Sequence, residues 1–138
     1  MEISVHNLDK ELSITERQIS DLIKQTGKKL ELDIQSVQVI FVDDEKLRTM
    51  HEQYLNDPDY TDVMTFNLSD DSIEGEIYIS DDRVKENAKL FKVTIENEIC
   101  RNIIHGLLHL AGYTDKEEPE KTIMKQKEDE LLSLVQNV

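Results

Sequence analysis

Two of the chain's four histidines, His105 and His109, stand four residues apart in an apolar stretch running from 99 to 110. On an α-helix, side chains at i and i+4 leave the same face, so both imidazoles can reach one ion. Gly112 then offers a helix stop, and the chain turns through Tyr113 and Thr114 to Asp115. A carboxylate just past such a stop can swing back toward the same face. Two nitrogens and one oxygen would then surround one divalent metal, zinc above all, with one position open. Three protein ligands plus a vacancy is the pattern of a catalytic zinc site, which makes a bound water acidic near neutral pH. The competing reading is that both histidines are hydrogen-bonded core residues and Asp115 an ordinary turn residue. The residue after His105 is Gly106, where the metalloprotease signature carries a glutamate base, and this argues against a peptidase. Glycine inside a helix costs roughly 1 kcal/mol relative to alanine. Its small size is expected to serve close packing, or else room for a ligand.

Such a site needs a scaffold, and the hydrophobic periodicity supplies one. Residues 2–6 alternate weakly and suit an edge strand. Residues 15–30 carry Ile19, Leu22, Ile23 and Leu30 at helical spacing, with Gly27 near the C-terminal end. Residues 36–42 alternate Val37, Val39 and Phe41 against Gln38 and Ile40, a strand pattern rich in β-branched residues. Asp43 or Asp44 can cap a helix reaching about Tyr54. Residues 61–68 and 74–80 read as an antiparallel pair of strands around a polar turn. Ser80 or Asp81 caps a helix over about 82–91. Thr94 caps the helix that carries the histidines, with Glu96 and Glu98 in the first turn, where the helix dipole favours anions. Ile99, Ile103, Leu107 and Leu110, widened by Ile104 and Leu108, make that helix apolar over much of its circumference, so it belongs in the core. Pro119 opens a last helix, with Ile123, Met124, Leu131, Leu132 and Val135 as its inner face. The order β-α-β-α-β-β-α-α-α describes an α+β domain. Expected is a mixed four-stranded sheet packed with about five helices, a zincin-like metal helix in its core, and one domain over residues 1–138.

Charge narrows the function. Thirty acids against 16 bases leave a net charge of −14. That excludes the simplest nucleic-acid binder, a basic domain held by phosphate neutralisation. The acid is unevenly placed: residues 57–82 hold nine acids and no base, while 83–101 hold five bases and three acids. Lys85, Lys89 and Lys92 recur at i, i+4 and i+7, a stripe with Arg83 and Arg101 nearby in sequence. A solvated helix face is the ordinary reading; if RNA binds, these lysines are the first candidates for phosphate contacts. Tyr54, Tyr60 and Tyr113 could stack on unpaired bases but equally suit half-buried packing. Asp62 suits a strand-end hydrogen bond or a partner that orients a metal-bound histidine. His6 and His51 read as ordinary surface histidines, and the single cysteine, Cys100, as a core residue. One cysteine excludes an internal disulfide, no apolar run approaches the roughly 20 residues of a membrane span, and no signal peptide is visible. A cytoplasmic protein with no membrane partner is expected.

Three ordered blocks carry a specific resemblance. Residues 105–115, HGLLHLAGYTD, resemble the signature H-G-x-L-H-L-x-G-Y-D-H of the YbeY family, metal-dependent endoribonucleases of bacterial rRNA maturation. TDVMTF at 61–66 and GEIYIS at 75–80 resemble that family's T-D-V-L-S-F and G-D-I-x-I-S strands. The resemblance spans roughly residues 40–130. It implies metal ligands at the first, fifth and eleventh signature positions, here His105, His109 and Asp115. Aspartate replaces the family's third histidine, an acceptable zinc ligand that also makes manganese or iron(II) easier to accommodate. The family's substrate-contacting arginine falls on Leu55, and no base occurs between Arg48 and Arg83. The implied function is single-strand endoribonuclease in rRNA maturation and ribosome quality control. Its implied partners are precursor rRNA, ribosomal proteins or a ribosomal subunit. The alternative is a ribosome-assembly binding factor with little or no nuclease activity, to which the acidic stretch would attract basic ribosomal proteins.

Overall fold

In the computed structural model, described over residues 1–135, four strands form one mixed sheet: β1 (Glu2–His6), β2 (Ile34–Val42), β3 (Val63–Asn67) and β4 (Ile73–Ser80). Their order is β1-β2-β4-β3, with β1 and β4 parallel to β2 and β3 antiparallel to β4. β1 is an edge strand, as its weak alternation suggests. The β3–β4 turn is held by Asn67, whose side-chain oxygen accepts from the Glu74 and Ser69 amides and whose amide donates to the Ser72 carbonyl. Period-2 alternation sends Val37, Val39, Phe41, Ile77 and Ile79 into the main core. Val42 and Met64 point to the other face and form a smaller cluster with Leu47.

Among the described residues five α-helices pack around the sheet and one another: α1 (Glu16–Lys29), α2 (Asp44–Leu55), α3 (Asp81–Leu90), α4 (Ile95–Leu110) and α5 (Glu118–Val135). Their starts follow from local chemistry. Thr15, Asp43, Ser80 and Thr94 each accept a hydrogen bond from a free amide of the first turn, and Gln18 completes a capping box with Thr15. Because α3 ends at Leu90, Lys92 lies beyond it in a left-handed turn at φ 57°. The stripe Lys85–Lys89–Lys92 is therefore not one helix face. On α5, Met124, Leu131 and Leu132 are buried but Ile123 is 53% exposed. The buried row runs 124, 128, 131, 132, so Ile123 lies one step off it and Glu128 lies on it. Val135 ends α5, and its side chain, like residues 136–138, lies outside the described residues. Among the described residues no helix is long and apolar enough to cross a membrane.

α4 is the central helix, packed against β3, β4, α1, α3 and α5. Ile99, Ile103, Ile104, Leu107 and Leu108 are fully buried on it. Gly106 sets how closely it approaches the sheet: a Cβ there would lie 2.9 Å from Ile77 Cδ1 and 3.0 Å from Thr65 Oγ1. Close packing explains this glycine. Gly106→Ala is expected to destabilise the fold by about 1 kcal/mol, since overpacking of roughly 1–3 kcal/mol exceeds the gain in helix propensity of roughly 1. A urea melt reads this directly, and an unshifted midpoint would mean that helix and sheet part without cost.

Candidate metal centre

The last two turns of α4 and the loop after it bring together three side chains able to ligate one ion. α4 projects His105 and His109 from one face. Gly112, at φ 101°, then reverses the chain, with its amide bonded to the His109 carbonyl and the Tyr113 amide to the Leu108 carbonyl. The reversal brings Asp115 back over the histidines. His105 Nε2 and His109 Nε2 are 3.0 Å apart, and Asp115 Oδ2 lies 3.4 Å from the first and 3.6 Å from the second. Ligands at zinc–nitrogen and zinc–oxygen distances stand about 3.3–3.4 Å apart at tetrahedral angles. The triangle therefore has the dimensions of three corners of such a site.

The protons point the same way. His109 Nδ1 lies 3.1 Å from the Tyr113 carbonyl, which can only accept, so Nδ1 carries the hydrogen and Nε2 a lone pair. His105 Nδ1 lies 2.5 Å from Glu128 Oε2, and an ionised carboxylate again only accepts. Two imidazole lone pairs and a carboxylate oxygen thus converge on one point, an arrangement that repels itself unless a cation or proton sits among them. Metal-binding histidines characteristically donate their other N–H to a carboxylate or carbonyl in this way. Burial pulls the His105 pKa down, but the bond and charge of Glu128, with Asp115 and Asp62 behind, outweigh it and raise it above the ordinary value. Burial and the neighbouring His105 hold His109 below it. The donor set fits a divalent metal.

Glu128 is the site residue that the sequence reading missed. It lies on the buried row of α5, where an acid at an apolar position is the signal that could have found it. Its other oxygen accepts from Arg101 at 3.1 Å, and Arg101 also reaches Asp129 at 2.7 Å. The role considered for Asp62, orienting a histidine, falls to Glu128. Asp62 stands just before β3, where its carbonyl accepts from the Ser80 amide and burial pushes its carboxyl above the usual range.

Two troughs meet at the triangle, and both include His105 and Asp115 in their walls. The first, about 470 Å³, also includes His109, Thr61, Asp62, His51 and Leu55. His51 is therefore not an ordinary surface histidine: its side chain is 14% exposed and its Nδ1 donates to the Asp59 carbonyl at 2.9 Å. Among the described residues no lysine or arginine lines this trough. The second, about 440 Å³, lies between α4 and α5. Neither trough contains the predicted basic stripe. Lys85 is paired with Glu11 at 3.0 Å, and Lys85 and Lys89 line a separate groove. Arg83 is bound to Asp44, and Tyr60 lies between Arg83 and Arg48 with its hydroxyl on Glu45. Tyr54 packs edge-on against Phe66, Tyr113 against the main core, and Cys100 is buried, while His6 is exposed beside Ser4.

Comparison with known proteins agrees with this architecture. The family model described as "Endoribonuclease YbeY" matches residues 4–136. A protein of Flavobacterium psychrophilum named Endoribonuclease YbeY is 48% identical over 99 residues, 71% of each chain. One of the same name from Cytophaga hutchinsonii is 44% identical over 119 residues, 85% of this chain and 83% of the relative. The solution structure of TM1509 from Thermotoga maritima superposes with a TM-score of 0.68 at 32% identity, covering 96% of this chain and 88% of that one. With the match running almost from end to end, the chain belongs to the endoribonuclease YbeY family.

Proposed function

We propose that this protein is a metal-dependent endoribonuclease that cleaves single-stranded RNA in the maturation of rRNA, in the cytoplasm, with zinc held by His105, His109 and Asp115. The observation that supports it most is the triangle of two lone-pair nitrogens and a carboxylate oxygen at tetrahedral spacing. When bound, a divalent ion would supply Lewis-acid polarisation of a phosphodiester oxygen and neutralise negative charge developing on the phosphoryl oxygens. The chain's own residues prepare the site. Glu128 keeps the His105 proton on Nδ1, the Tyr113 carbonyl keeps the His109 proton on Nδ1, and Asp115 contributes the negative charge. Gly106 supports a nuclease over a peptidase reading, because the position of the peptidase's glutamate base is packed against Ile77.

The acidic stretch 57–82 favours one second reading, a ribosome-assembly factor that holds basic ribosomal proteins. One assay separates the two. Metal-loaded protein is expected to cut an unstructured RNA oligonucleotide, to stop after chelation and dialysis, and to resume when zinc is restored. Cutting that survives chelation removes the metal from the reading. No cutting at any metal loading, with retention of ribosomal proteins on the immobilised chain, replaces the enzyme with the assembly factor.

A further inference from the structure

The trough between α4 and α5 has a composition unlike its neighbour's. Phe91, at the C-terminal end of α3, stands on its rim with 58% of its surface exposed. Met124 and Glu98 are buried residues in its wall. Lys121 and Lys125, one turn apart on α5, line it too. Among the described residues the one ion pair of Lys121 is a long contact of 3.8 Å to the exposed Glu118. Lys125 makes no ion pair among the described residues. Arg101, by contrast, is fully engaged with Glu128 and Asp129 and serves as a strut between the helices.

Position matters as much as composition. The trough opens on His105 and Asp115, so it is continuous with the triangle. Glu98 precedes His105 by seven residues on α4, roughly 10 Å along the helix axis. That is a short reach from the triangle. Of the two troughs that meet there, only this one carries lysines and an exposed aromatic ring among the described residues. Unpaired bases are held by aromatic faces, and their phosphates by lysines.

We infer that the α4–α5 trough is a nucleotide subsite, in which an unpaired base next to the bond broken at the triangle stacks on Phe91 while its phosphate rests against Lys121 and Lys125. Glu98 offers an acceptor to an N–H on the edge of that base. The assignment rests on the endoribonuclease reading and adds the path of the strand: over α5 and the α3–α4 corner, away from Lys85 and Lys89.

The test measures affinity rather than cleavage, so that its failure and the failure of the nuclease reading stay distinct. Zinc-loaded protein is titrated against a fluorescein-labelled six-nucleotide 2′-O-methyl RNA, followed by anisotropy at several salt concentrations. Phe91→Ala is expected to weaken binding by about 5- to 150-fold with an unchanged salt slope. Lys121→Gln combined with Lys125→Gln is expected to weaken it and to reduce the slope of log K against log salt by about 1.4, the value for two phosphate contacts on a single strand. Lys85→Gln combined with Lys89→Gln should bind like wild type. All these side chains are at or near the surface; zinc content and thermal melts of each variant verify that triangle and fold are intact. Wild-type affinity in the Phe91 and α5 variants overturns the assignment, as does absence of RNA binding by the wild type. A loss confined to the Lys85/Lys89 variant moves the strand to α3 and overturns it equally.

Discussion

Replacing either helical histidine with alanine is expected to abolish zinc retention and to leave the domain folded. His105→Ala and His109→Ala each remove one corner of a triangle whose edges are 3.0, 3.4 and 3.6 Å, leaving two protein ligands. Both side chains open onto a trough, with 21% and 31% of their surfaces exposed, so truncation does not hollow the core. Alanine is also the better helix former. The loss should exceed the about 10–100-fold drop in affinity typical of removing a mere supporting partner of a metal ligand. Elemental analysis after dialysis is expected to find near-stoichiometric zinc in the wild type and almost none in either variant, with circular dichroism unchanged. Of the two, His105→Ala should melt lower, because it deprives the buried Glu128 of one of its two partners. Asp115→Ala is expected to lose less, since its side chain is 40% exposed and solvent can take its place. Equal zinc in all four proteins would dispose of the centre altogether.

The second large effect falls on a residue that is not itself one of the three candidate ligands. Glu128→Gln is expected to cost about 10–100-fold in zinc affinity. Glu128 spans His105 Nδ1 at 2.5 Å and Arg101 Nη1 at 3.1 Å, and both of those partners donate. A glutamine has one acceptor oxygen and cannot satisfy both. If that oxygen stays on Arg101, the amide NH2 faces His105 Nδ1, which must then give up its hydrogen. The ring takes the other tautomer, and an N–H replaces the lone pair inside the triangle. Competition against a chromogenic chelator at fixed pH measures the change, and a thermal melt checks that α5 remains docked. Arg101 keeps Asp129 at 2.7 Å, which limits the structural damage. Unaltered affinity in a folded variant would show that the tautomer is set by the metal rather than by Glu128.

Local chemistry was legible from the residues. Asp43, Ser80 and Thr94 cap their helices because a short oxygen-bearing side chain meets free amides a few residues on, and that geometry needs no tertiary partner. The His105–His109 pair and the stop at Gly112 belong to the same class. Helical pitch aligns the rings, and a left-handed glycine returns the chain, so Asp115 joins them from eleven residues of sequence. The edge position of β1 and the β3–β4 pairing followed from alternation and a polar turn. Where residue pattern and structure part, the cause is equally physical. Ile123 looked inward because it is apolar, but the rotation of α5 about its axis put Glu128 in the buried row instead. The lysine stripe assumed one more half-turn of α3 than the chain makes before the left-handed Lys92.

What no periodicity could supply is the meeting of distant elements. Glu128 reaches His105 across 23 residues, and Lys85 reaches Glu11 across 74. His51 enters the trough from α2, which the sheet holds beside β3. The elements, most of their caps and the i, i+4 histidine pair can be read from the residues alone, because each depends on backbone geometry over a few residues. Which acid bonds His105, which lysines border the triangle and which are spent on ion pairs come instead from the packing, from how helices rotate and cross as they bury their apolar faces.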